Sequence, residues 1–143
     1  MPKRYSQFRS ATLLKKTFFI FIFALLLNFV WENLHSVLYL HYQNGPIGEW
    51  VLFRAALFDA GFIALLGLIF LSFSFLSKRE WLALPIGFLA AVLLEIYALK
   101  TGRWAYTEMM PIIPIIKTGL TPTIQLGLLS FIAFKTVKLN SRS

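Results

Sequence analysis

Four stretches of this chain, residues 17–40, 50–76, 81–99 and 121–137, stay apolar for about the 20 residues that a helix needs to cross a bilayer. No other feature restricts the fold so strongly. In hydrocarbon every backbone N–H and C=O must be paired within its own segment, and a helix does this. The fourth stretch is the shortest, so it starts within the headgroup region or thins the bilayer locally. The first opens with FFIFIFALLL, too long an apolar run for a signal peptide, and no small-residue cleavage site follows it. Composition agrees: of 143 residues, 58% are hydrophobic and 14% charged, where a soluble domain carries about 25% charged residues. A disordered chain and an ordinary soluble enzyme are excluded. The lack of cysteine excludes thiol nucleophiles, iron–sulfur clusters and Cys-ligated zinc. The expected fold class is all-α, a four-transmembrane-helix bundle.

Orientation follows from Lys and Arg. Ten of the fourteen fall in the N-terminal arm (Lys3, Arg4, Arg9, Lys15, Lys16), the second connection (Lys78, Arg79) and the tail (Lys135, Lys138, Arg142). Arg54, Lys100, Arg103 and Lys117 make up the other side. The positive-inside rule then puts both termini in the cytoplasm. The domain reading is a basic cytoplasmic arm over 1–16, one membrane domain over 17–137 and a cytoplasmic tail over 138–143. The net charge of +8 is accounted for by this topology, and no nucleic-acid module is present, so nucleic acid is not an expected partner. Gln43-Asn44-Gly45-Pro46 reads as a turn, and residues 77–80 as a tight hairpin. The third connection, residues 100–119, holds MMPIIPII, too short to span and interrupted by Pro111 and Pro114. It is expected to be partly re-entrant or interfacial.

The strongly polar residues of the spans share one depth. At 1.5 Å per residue, Glu32 and His35 lie in the outer half of the first span, and Asp59 lies roughly 12 Å in from the outer end of the second. Glu95 ends the third, while Thr121 and Gln125 open the fourth. Ala24, Asn28, Glu32 and Ser36 recur every four residues and form one stripe, as do Gly87, Ala91 and Glu95. Ala56, Ala60 and Ala64 make a small-residue seam that lets helices approach. A carboxylate facing lipid costs about 2.5–3.5 kcal/mol on insertion scales, so these groups are expected to face one another. They serve either to fix helix register or, as ionisable groups within a membrane usually do, to mark a functional pocket.

Several chemistries fit such a pocket. Acid–base work needs a carboxyl that keeps a proton to donate, a part for Glu95 or Glu32, with Asp59 ionised beside Arg54 as the counterpart. Glu32-x-x-His35 has the spacing of one di-iron half-motif, but it occurs once and His41 is the only other histidine. No cofactor or metal is therefore expected; a single metal ion on Glu32, His35, Asp59 and Glu95 is the alternative. Trp104 and Tyr106 are either interfacial anchors or part of a lid, and Arg103 and Lys117 either rim charges or contacts to lipid phosphate.

The run Glu95-Ile96-Tyr97-Ala98-Leu99-Lys100-Thr101-Gly102-Arg103-Trp104-Ala105-Tyr106, followed by Met110-Pro111 and by Gly119-Leu120-Thr121-Pro122 with Gln125, resembles a family of small bacterial multi-pass membrane proteins. Trp31-Glu32, Leu38-Tyr39 and Asp59 match it too, so the likeness covers most of the chain. More distantly, the pattern is similar to carotenoid hydratases and lycopene-cyclase-type membrane proteins. Those act on polyisoprenoids by protonating a double bond. The cyclase type carries carboxylates just after its last proline, where this chain has Thr123 and Gln125. The resemblance implies acid–base chemistry on an isoprenoid or lipid-like substrate. The expected catalytic set is Glu32, Asp59, Glu95 and His35, and the expected substrate-binding set is Asn28, Arg54, Arg103, Trp104, Tyr106, Thr121 and Gln125. Membrane lipids, a hydrophobic small molecule and a second copy of the chain are the expected partners. A small dimeric proton-coupled transporter and a non-catalytic subunit of a membrane complex are the competing readings.

Overall fold

The computed structural model describes residues 2–139, with side chains from residue 10 onward. The side chains of Lys3, Arg4 and Arg9, together with the whole of Arg142, lie outside the described residues. Four helices are long and apolar enough to cross a membrane, over Ser10–Leu38, Glu49–Ser72, Glu80–Lys100 and Leu120–Val137. Their order matches the expected bundle. The chain is mostly helical, and its connections add four short strands in two antiparallel pairs.

Helix α1 (Pro2–His35) is longer than expected at its start and shorter at its end. Its last turns gather side chains that bond to helix carbonyls: Asn33 to Phe29, His35 to Trp31 and Ser36 to Asn33. Such local bonds compete with the helix ladder, and the chain passes through one 3₁₀ turn (Ser36–Leu38) into strand β1 (Tyr39–Tyr42). The expected turn follows. Gln43 and Asn44 both take positive φ, 49° and 61°, and Tyr42 and Gly45 exchange backbone bonds of 3.0 and 2.9 Å. Two left-handed central residues make the tight turn whose twist suits a hairpin.

Helix α2 (Glu49–Ser72) ends four residues before the expected Leu76. Ser72 returns its hydroxyl to the Leu68 carbonyl, Phe73 is extended, and a single turn, α3 (Ser74–Ser77), follows. After a 3₁₀ turn at Glu80–Leu82 comes α4 (Ala83–Lys100). Its end depends on Gly102, at φ +67°. The Gly102 N–H reaches the Leu99 carbonyl and the Arg103 N–H the Ala98 carbonyl, 3.3 and 2.9 Å. This is the glycine-capped helix end that reverses the chain while pairing the last carbonyls.

The reversal sends Trp104 directly into strand β2 (Trp104–Tyr106), which pairs with β1 in the register Tyr39 to Tyr106, His41 to Ala105 and Tyr42 to Trp104. The third connection was expected to be partly re-entrant or interfacial. It folds as a small hairpin of β3 (Ile112–Ile113) and β4 (Thr118–Gly119), anchored by the buried Met110. Helix α5 (Leu120–Val137) closes the bundle and packs against α1, α2 and α4.

The four spans divide into two halves. Near the termini the core is apolar, built on Ile20, Ala24, Ile63, Phe70, Ala133 and Phe134, with the Phe70 and Phe134 rings 5.1 Å apart. At the middle of the α4–α5 contact, Gly87 and Gly127 meet backbone to backbone. A Cβ on Gly87 would lie 2.4 Å from the Gly127 nitrogen, so small residues set this approach. Phe18, Leu26, Leu65, Leu89 and Leu93 point outward as a lipid-facing belt. The other half, under the strands, is where the polar residues gather.

Candidate functional site

Asn28 is fully buried on α1. Its Nδ2 donates to the Ala24 carbonyl at 2.8 Å, which turns its Oδ1 towards α5. There the Gln125 amide donates to Asn28 Oδ1 at 3.0 Å, to Glu32 Oε1 at 2.7 Å and to Asp59 Oδ2 at 2.8 Å. One residue from α5 thus ties α1 to α2. The Ala24–Asn28–Glu32 stripe supplies two acceptors one turn apart, and the alanine seam of α2 lets Asp59 come close enough to supply the third. An amide nitrogen carries two hydrogens, yet three oxygens surround it. The three contacts therefore share two hydrogens.

Glu95 stands on the opposite wall, 5% exposed, at the end of α4. Its Oε2 accepts the Trp104 indole N–H at 3.2 Å and the Tyr106 hydroxyl in a short bond. Tyr106 in turn accepts the Gly119 N–H at 2.9 Å while it donates to Glu95. The glycine cap at Gly102 is what makes this geometry local: it folds β2 back over the helix that carries Glu95. Burial first, then the bond to Glu95, pushes the Tyr106 hydroxyl above the ordinary value of 10.0. The Tyr39 hydroxyl is pushed up further, by burial first and then by the charge of Glu95. Both therefore stay protonated donors across the physiological range.

Between these walls lies a cavity of about 450 Å³, bounded by all four long helices and by β1 and β2. Glu32, Asp59, Glu95, His35 and Gln125 all line it. His35 gives its Nδ1–H to the Trp31 carbonyl at 2.7 Å, since a carbonyl can only accept. The rest of the lining is mostly apolar, with Val51, Leu52, Phe58, Leu94 and Leu126 among it. A small-molecule site is commonly a concave, largely apolar space of this size with a few convergent polar groups.

The structure brings together the four residues expected to be catalytic, and most of those expected to bind. Arg54, Arg103 and Trp104 line the cavity, Asn28 lies beneath it behind Gln125, and Tyr106 touches it through Glu95. Thr121 is turned elsewhere, with its hydroxyl on the Met110 sulfur at 3.5 Å. The expected pairing of Asp59 with Arg54 is corrected: Asp59 is held by Gln125, and the ion pair found among the described residues is Lys135–Glu80, at the far end. Among the described residues no group of three or more acidic or histidine side chains is arranged to hold a metal ion.

Sequence reasoning missed Tyr39 and Tyr42. Tyr39 meets the rings of His35, Trp104 and Tyr106, and Tyr42 stacks on Trp104. Tyr39 entered only through the resemblance, and the two lie three apart in a short strand whose register shifts between Tyr39 and His41. Such a strand has too few residues to show a period.

Four apolar helices around an acid-lined cavity define a multi-pass membrane protein. Neither the family models nor the curated proteins nor the solved structures contain a match to this chain.

Proposed function

We propose that this protein sits in the bacterial cytoplasmic membrane with both termini in the cytoplasm. Its cavity then opens in the outer half of the bilayer and receives an isoprenoid or lipid-like molecule, on which the carboxyls do acid–base work. The observation that carries this reading is the two-walled cavity: Glu95 with its tyrosine and indole donors on one side, and the Glu32–Asp59 pair under Gln125 on the other. Two carboxyl sites in different surroundings are what a reaction needs when one group gives a proton and another takes it. The apolar lining suits a substrate that arrives from the membrane. About 450 Å³ admits one end of a long chain and leaves the remainder among the helices or in lipid. The likeness of the Glu95–Tyr106 run to proteins that protonate double bonds points the same way.

The test is a comparison of lipid and isoprenoid extracts from cells that express the wild type, Glu95→Gln or Asp59→Asn, together with mass spectrometry of molecules that copurify with the gently extracted protein. The reading expects a wild-type product that both variants lose while their melting temperatures stay within a few degrees of the parent. Identical extracts from all three strains, with nothing bound to any of them, overturn it.

A further inference from the structure

The cavity also says what kind of polar end its occupant carries. Tyr39 and Trp104 stand at 89° with centroids 6.2 Å apart, and Tyr42 lies nearly parallel to Trp104, at 22° and 6.4 Å. All three line the cavity. Two rings that meet edge to face at a right angle form a corner, half of the box by which proteins hold substituted ammonium groups, because the ring faces are negative and the methylated cation is weakly hydrated. The corner is tied to charge. The indole N–H of Trp104 is bonded to Glu95, so the carboxyl sits at the edge of the ring that forms one wall.

Three carboxyls line the same cavity and none forms an ion pair among the described residues. The two arginines of the lining do not serve them. Arg54 is exposed, and the Arg103 guanidinium lies over the Tyr97 ring, 6.0 Å from its centroid. A carboxyl enclosed in a medium of low dielectric either keeps its proton or takes a positive partner. An anionic end would meet three acids, and a neutral one would draw nothing from their charge. We infer that the polar end of the occupant is a substituted ammonium group, seated in the Tyr39–Trp104 corner and held by the carboxyls of Glu95, Glu32 and Asp59. This rests on the reading of the cavity as a site for a lipid-like molecule, and selects within that class the amphiphiles with a cationic nitrogen.

The experiment titrates the full chain in maltoside micelles with hexyltrimethylammonium, 1-hexanol and hexyl sulfate, and follows heat and tryptophan emission. The inference expects the cation to bind about tenfold or more tightly than the alcohol, with the sulfate weakest. Glu95→Gln and Trp104→Leu each lower affinity for the cation about fivefold or more and lower that for the alcohol by clearly less. Trp104→Phe keeps a ring face without the N–H and retains most of the cation's affinity. The comparison of the three probes on the wild type stands even if a variant does not fold. Equal affinity for cation and alcohol, or tighter binding of the sulfate, overturns the inference while leaving the cavity a lipid-like site. Failure of all three probes to bind removes that underlying reading as well.

Discussion

Gln125 is the residue on which the polar half of the bundle turns. Its single amide nitrogen serves acceptors on α1 and α2 from a position on α5. Hydrogen bonds between helices in a membrane average about 0.6 kcal/mol and reach about 1.7, because the separated helices also find partners. Three bonds to one donor cannot all be at full strength. Gln125→Leu is therefore expected to cost about 1–2 kcal/mol, measured by unfolding in mixed micelles with increasing sodium dodecyl sulfate. Asn28→Leu added to it should cost clearly less than the two singly, since both remove the same contact. The tyrosines give a second prediction with a definite sign. Tyr39 and Tyr106 have raised values, so their contribution to stability is present below pH 10.0 and is lost as the pH rises beyond it. Melting in detergent should stay level through neutral pH and fall above about pH 10, with a smaller fall in Tyr106→Phe. Absorbance at 295 nm should show these two hydroxyls ionising only as the fold opens. A flat melting profile to pH 12 would count against the burial described.

At the scale of elements, the spans were legible and their connections were not, for a physical reason. A span announces itself by hydropathy alone, which survives errors of several residues at each end. The ends depend on single side chains: Ser72 bonding back to Leu68, His35 to Trp31, Gly102 taking positive φ. The strands that cover the cavity are four and three residues long and pair across the whole of α2 and α4, so no local pattern marks them. Convergence of Glu32, Asp59 and Gln125 was readable from depth and four-residue spacing. The partner of Glu95 was not, since it depends on the turn after α4. Small residues are where element packing can be tested. Gly87→Ala puts a methyl against the α5 backbone, where nothing can yield without parting the helices, and should cost about 3 kcal/mol, the upper end for overpacking. Gly61→Ala, with nothing within 4 Å of the added carbon, should be neutral or stabilising by up to about 1 kcal/mol through helix propensity. Thermal melting of the two purified variants checks the contrast, and equal loss in both would mean that α4 and α5 do not meet at this pair.

For the whole molecule, the distribution of charge and the location of the cavity are one question. The fold places Lys16 beside the end of α5, with its Nζ 3.3 Å from the Lys138 carbonyl, and Lys135 beside Glu80 of the second connection at 3.5 Å. The start of the first span, the second connection and the end of the last therefore share one end of the bundle. Arg54 and Arg103, with Lys100 and Lys117, belong to the cavity end. Lys and Arg near short connections are retained on the cytoplasmic side, so the poorer end, with its acids, should face outward. A green fluorescent protein at the C-terminus is expected to fluoresce, and alkaline phosphatase at the same point to be inactive. Because the chain has no cysteine, single replacements report each end cleanly. Asn44→Cys in the first turn should react with a membrane-impermeant maleimide on intact spheroplasts, and Lys78→Cys only after permeabilisation. The reverse pattern would place the cavity on the cytoplasmic side. Its supply would then come from molecules made in the cell, not from the outer leaflet, and the bundle geometry would stand unchanged.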